Sequence, residues 1–86
     1  MTEHQRLIIA FGSVIAKLRK QRGWSQLDLA DRLNMTGRYS VGYLERISKH
    51  RRPAKKEASV TLRTMLEVAS AFDMSIVDFV GRMVAE

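Results

Sequence analysis

Apolar residues recur at helical spacing over Leu7, Phe11, Val14, Ile15 and Leu18, while Lys17, Arg19 and Lys20 fall mostly on the opposite side. The pattern predicts a first helix over residues 3–22. Thr2 followed three residues later by Gln5 forms a capping box, and Gly23 stands where a left-handed residue ends the helix. Ser25 is the next N-cap, ahead of Leu27, Leu29, Ala30 and Leu33, with Asp28 placed to meet the positive end of the helix dipole. A second, short helix is expected over 26–33. Asn34 ends it, and Thr36 caps a third helix that buries Val41, Leu44 and Ile47. The period then stops from Ser48 to Ser59, where Pro53 disfavours helix in the residue before it, so 48–59 reads as a loop. A fourth helix starts behind Ser59 or Thr61 and carries Leu62, Met65, Leu66, Ala69 and Phe72 as far as Asp73. Ser75 caps a fifth, over 75–84, with Ile76, Val77, Phe79, Val80, Met83 and Val84. Nothing alternates as a half-buried strand would. The expectation is therefore an all-α fold of five helices in a single domain, 1–86.

Composition narrows what such a domain does. Eighty-six residues with 45% hydrophobic content hold one modest core. The absence of cysteine removes disulfides and thiolate metal sites, and His4 and His50 have no neighbours that would complete a metal set or a catalytic triad. No enzyme, metal or cofactor is expected. The longest apolar run, Leu7 to Phe11, suits neither a membrane span nor a secretory signal, and a cytoplasmic, nucleoid-associated protein is expected.

Charge points to the partner. Fifteen Lys and Arg against nine Asp and Glu give +6, and the sign is unevenly placed: +4 in residues 1–24, −1 in 25–45, +5 in 46–60 and −2 in 61–86. Arg46, Lys49, Arg51, Arg52, Lys55 and Lys56 make the excess a patch, which is either a solvated loop or a surface for an anionic partner.

Two short helices, a tight turn and a basic tract suggest a helix-turn-helix. The residues Phe11-Gly12, Ile15, Leu18-Arg19, Arg22-Gly23-Trp24-Ser25-Gln26, Leu29-Ala30, Val41, Leu44-Glu45-Arg46, Thr61-Leu62, Val68-Ala69, Ala71-Phe72 and Met74-Ser75 carry a resemblance over about residues 10–80. The chain resembles the lambda-repressor-like helix-turn-helix family, the Xre/Cro group. That resemblance implies a five-helix DNA-binding domain with the helix-turn-helix at helices 2 and 3. It also implies an ion pair between Arg19 and Glu45, tying the first helix to the end of the recognition helix.

Within this frame Ser25 and Gln26 are expected at phosphate, Ser25 also or only as a cap. If Val41, Leu44 and Ile47 face the core, the outer face of the third helix holds Arg38, Tyr39, Gly42, Tyr43 and Arg46, with Thr36, Gly37 and Ser40 at its start. Arg38 suits guanine O6 and N7, Tyr39 and Tyr43 suit phosphate or a thymine methyl, and Gly42 would let DNA approach the backbone. Trp24 is expected to plug the junction of the first two helices. Two departures from the family pattern stand out. One extra residue lies between Ala30 and Val41, which blurs the register of 37–40, and about eight extra lie between Glu45 and Thr61. The latter form the basic loop, expected to place Lys49, Arg51, Arg52, Lys55 and Lys56 on phosphate or in a minor groove.

The last helix has more apolar residues than one face requires, and Ile76, Phe79, Val80, Met83 and Val84 are expected at a homodimer seam, with Ile8 and Ile9 beside it. A homodimer would place two reading units on a palindromic operator, one turn of double-stranded DNA apart. The expected function is a transcription regulator, a repressor or activator without a small-molecule effector. The stretch 38–46 also resembles the recognition helix of restriction-modification controllers, and an antitoxin is a comparable subtype. The alternative is a protein-interaction module on the same fold with little DNA affinity.

Overall fold

The computed structural model describes residues 2–33, 41–42, 44–45 and 60–86. Four helices are delimited among these residues: α1 over Glu3–Gln21, α2 over Gln26–Arg32, α3 over Leu62–Ala71 and α4 over Ile76–Ala85. The described residues are all-α, and the five-helix arrangement is corrected to four delimited helices among them. The third helix expected from Thr36 to Ile47 had only three aliphatic positions, Val41, Leu44 and Ile47, against two glycines, Gly37 and Gly42, glycine being the weakest helix former after proline. Of that segment Val41, Gly42, Leu44 and Glu45 have helical backbone, and the rest lies outside the described residues.

Each helix begins on a hydroxyl. Thr2 Oγ1 accepts the Gln5 amide at 3.1 Å while Gln5 Oε1 accepts the Thr2 amide, a complete capping box. Ser25 and Asp28 repeat it at α2, at 3.0 and 2.8 Å. Thr61, rather than Ser59, caps α3 through the Thr64 amide at 3.2 Å, and Ser75 caps α4 through the Asp78 amide at 3.1 Å. These bonds satisfy amides that the first helical turn leaves without an intrahelical acceptor.

Two helix ends share one solution. After α1, Gly23 takes φ +69° and the Trp24 and Gly23 amides turn back to the carbonyls of Arg19 and Lys20, both at 3.0 Å. After α3, Asp73 takes φ 55° and the Met74 and Asp73 amides return to Ala69 and Ser70, at 2.9 and 3.0 Å. Both are Schellman turns, with one residue between the left-handed position and the next serine cap. The same turn thus joins α1 to α2 and α3 to α4.

The stripe of α1 supplies Ala10, Phe11, Val14, Ile15 and Leu18 to the core, where they meet Leu29 and Ala30 of α2, Val41, Leu44, Val68, Ala69 and Phe72, and Phe79 and Met83 of α4. Phe11 and Phe79 meet edge to face, with centroids 5.9 Å apart and planes at 67°. Ala30 is fully buried and belongs to the same core cluster as Val41 and Leu44. Among the described residues no buried side-chain nitrogen or oxygen lacks a partner.

Candidate nucleic-acid interface

The polar centre of the domain is built on Arg19, at the end of α1. Its guanidinium donates from Nε to Glu45 Oε2 at 2.8 Å, from Nη2 to Glu45 Oε1 at 3.1 Å, and from Nη1 to the Trp24 carbonyl at 2.9 Å. Gln26 Nε2 adds a bond to the same Glu45 Oε1 at 3.3 Å. The two charged side chains are only 13% and 11% exposed, so water competes weakly and the pair is held in a bidentate fork. The bonds to Glu45 raise the Arg19 pKa above its ordinary value against the opposing effect of burial, and the guanidinium stays charged. Three parts of the chain, α1, the α1–α2 turn and Glu45, are fixed to one another through this knot.

Beside it the α1–α2 turn is held by stacking. Trp24 lies on Phe72 with centroids 5.5 Å apart and planes at 10°, joining the two Schellman turns. Arg32 sits 4.0 Å over the Trp24 ring. Arg22 lies 5.4 and 5.5 Å from the Trp24 and Phe72 rings and donates to the Phe72 carbonyl at 2.7 Å. Cations over aromatic faces in this geometry contribute about 0.5–1 kcal/mol each at exposed sites. The expected plug at Trp24 is thus a stack that includes two arginines.

The expected site residues fare differently. Arg19 and Glu45 are brought together. Gln26 is at the start of α2, but its amide is engaged by Glu45, a bond that has no local spacing to announce it. Ser25 caps α2, and its amide and hydroxyl hold the Asp28 carboxyl below the usual carboxylate range. Gly42 is buried, as are Val41 and Leu44 on either side of it in the sequence, in contrast to the outer face expected for it. Thr36, Gly37, Arg38, Tyr39, Ser40, Tyr43, Arg46, Lys49, Arg51, Arg52, Lys55 and Lys56 lie outside the described residues.

At α4, Phe79 and Met83 are core residues of their own chain, which corrects their expected place at a seam. Packing against α1 has already used their apolar surface. Ile76 and Val80 are half-buried, and Val84 is exposed together with Val77. A contact that the sequence did not announce ties the end of α4 to α1: Glu86 Oε1 accepts from Ser13 Oγ and Lys17 Nζ, both at 2.5 Å.

Other chemistry is sparse. An open groove between the end of α2 and α3 is lined by Arg32, Leu33, Arg63, Leu66, Glu67, Ser70 and Ala71, without converging acid, base and nucleophile. Among the described residues there is no group of three or more potential metal ligands, and no helix is long and apolar enough to cross a membrane. No protein-family model matches the chain, and no curated protein sequence matches it.

Proposed function

We propose that this protein is a sequence-specific DNA-binding regulator of transcription, acting as a homodimer on a palindromic operator in the manner of helix-turn-helix regulators. The observation that carries the reading is the knot at Arg19, Glu45 and Gln26. Glu45 is the last residue before the tract that holds +5 of the +6 charge, and it is tied to α1 and to the start of α2. A strongly basic tract that follows directly on a residue fixed to a rigid scaffold suits phosphate binding better than a free charged tail does. Arg22 and Arg32, fixed on Trp24 next to Ser25, add positive charge on the same turn.

In this reading Arg38 reads bases and Arg51, Arg52, Lys55 and Lys56 grip the backbone. The test selects binding sequences from a random duplex pool and then titrates the best one at several salt concentrations. A dimer that neutralises ~8 phosphates loses affinity with a slope of log K against log salt near −7. Arg38→Ala relaxes sequence preference, whereas Arg51→Ala with Arg52→Ala weakens binding on every sequence and flattens the slope. A pool that yields no enriched sequence, or affinity indifferent to salt, refutes the proposal.

A further inference from the structure

We infer that the open groove between the end of α2 and α3 seats an amphipathic helix of another protein, one that is acidic along its flanks. The inference goes beyond DNA binding and does not depend on it. α3 gives Val68 and Ala69 to the core, with Phe72 behind them at its C-cap, yet it keeps two leucines outside: Leu62 is 65% exposed and Leu66 46%. The two lie one turn apart in the row 62–66–70, and the neighbouring row 63–67–71 completes this wall of the groove. Leu33, half-buried after the end of α2, belongs to the other wall, and the space between them is about 680 Å³.

Shape selects a helix as the occupant. The groove is open rather than enclosed, and residues 63–71 of α3 run ~12 Å, about two turns of a second helix laid along them. An i, i+4 row such as 62–66–70 is the kind of ridge against which the ridges of another helix pack. Among the described residues there is no strand edge for an extended peptide to join, so helix-in-groove is the mode this surface offers. A small molecule held by the lining residues would leave Leu62, beyond the end of the groove, in water.

Charge selects the flanks of that helix. Arg63 is committed to Glu67 at 3.1 Å. Arg32 is exposed and has no ion-pair partner among the described residues, and Asp28, one turn back on α2, accepts the Ser25 amide instead. The Trp24 ring holds the Arg32 guanidinium at 4.0 Å. The uncompensated charge in the lining is therefore positive, and it is already positioned. A carboxylate on the occupant meets it without breaking any pair. A cationic occupant would have to take Glu67 from Arg63 and would leave Arg32 opposed.

The probe is a stapled helical peptide with leucines at i, i+3, i+4 and i+7 and glutamates on both flanks, and its control carries lysines in place of the glutamates. Both are titrated against the full chain by fluorescence polarisation in about 0.5 M salt, where a Debye length of roughly 4 Å removes the general pull of the net charge. The glutamate peptide binds tighter than the lysine peptide by about tenfold or more, and it changes Trp24 emission as Arg32 leaves the ring. Leu66→Ser weakens it by about tenfold and Leu62→Ser by about threefold. Arg32→Glu reverses the order of the two peptides, which a chain that had merely lost its fold could not do. Arg51→Ala with Arg52→Ala leaves both affinities within about twofold. Peptides that bind equally, or a loss that follows Arg51 and Arg52 instead of Leu66 and Arg32, overturn the inference. Two other occupants overturn it as well, each with neither peptide bound: a second copy of the chain, seen as a dimer in sedimentation that Leu66→Ser dissociates, and a small acid, seen as octanoate changing Trp24 emission through Arg32 and Leu66.

Discussion

Removing the carboxylate from the Arg19–Glu45 knot is the most direct probe of what holds the candidate interface in place. In Glu45→Ala the guanidinium loses its bonds at 2.8 and 3.1 Å, retains the Trp24 carbonyl at 2.9 Å, and remains charged in a setting where its side chain is 13% exposed. Breaking one side of a largely buried ion pair costs about 3 kcal/mol, most of it the penalty of leaving the other charge uncompensated. Gln26 loses its partner as well, a smaller effect. An 86-residue domain has roughly 4–13 kcal/mol of stability in all, so the loss is a large fraction of it. The exposed Arg63–Glu67 pair, one helical turn apart at 3.1 Å with side chains 89% and 51% exposed, is the control. Its removal costs about 0.3–0.5 kcal/mol. Urea unfolding of Glu45→Ala, Arg19→Met and the double variant closes a cycle. The double variant is expected to recover ~2 kcal/mol relative to the sum of the singles, since it buries no unpaired charge. A loss in Glu45→Ala no larger than that in Glu67→Ala would refute the reasoning and make the knot a surface contact.

Two further outcomes follow from the helix ends. Asp73→Gly relieves a left-handed backbone at φ 55° that the equivalent Gly23 already accommodates, and is expected to raise stability by about 1 kcal/mol, read as a higher melting temperature. The clasp of Lys17 and Ser13 holds the Glu86 carboxyl below the usual carboxylate range. A lowered folded pKa gives stability that is present above the unfolded value of about 4.3 and is lost as pH falls through the folded one. The difference in unfolding free energy from urea titration between the unsubstituted chain and Glu86→Gln, under about 1 kcal/mol for so exposed a pair, is thus constant near neutrality and closes in acid. A gap that widens on acidification would contradict this assignment.

Much of the fold was legible because its signals are local. The caps at Thr2, Ser25 and Ser75, the stop at Gly23 and the core stripe of α1 can each be read from residues within one or two turns. The segment around Gly42 was not, since three aliphatic residues against two glycines specify a helix weakly and the burial of Gly42 comes from tertiary packing. The last helix shows the same limit: its apolar excess was visible, but whether Phe79 or Val77 faces inward depends on where Phe11 lies. Long-range contacts were the least visible. Arg19 with Glu45 came only through a family resemblance, while Gln26 to Glu45, Arg22 to the Phe72 carbonyl and Lys17 to Glu86 cross 19, 50 and 69 positions of sequence with no periodic signature.

The stack on Trp24 has an optical consequence. It is the only tryptophan in the chain, and its indole lies flat on Phe72 at 5.5 Å beneath the Arg32 guanidinium at 4.0 Å. One fluorophore therefore sits where the two turns of the molecule meet, one residue ahead of the cap of α2. Its emission reports the parting of the α1–α2 turn from the α3–α4 turn during unfolding, and a duplex that draws Arg32 away from the ring would change its intensity with no label attached.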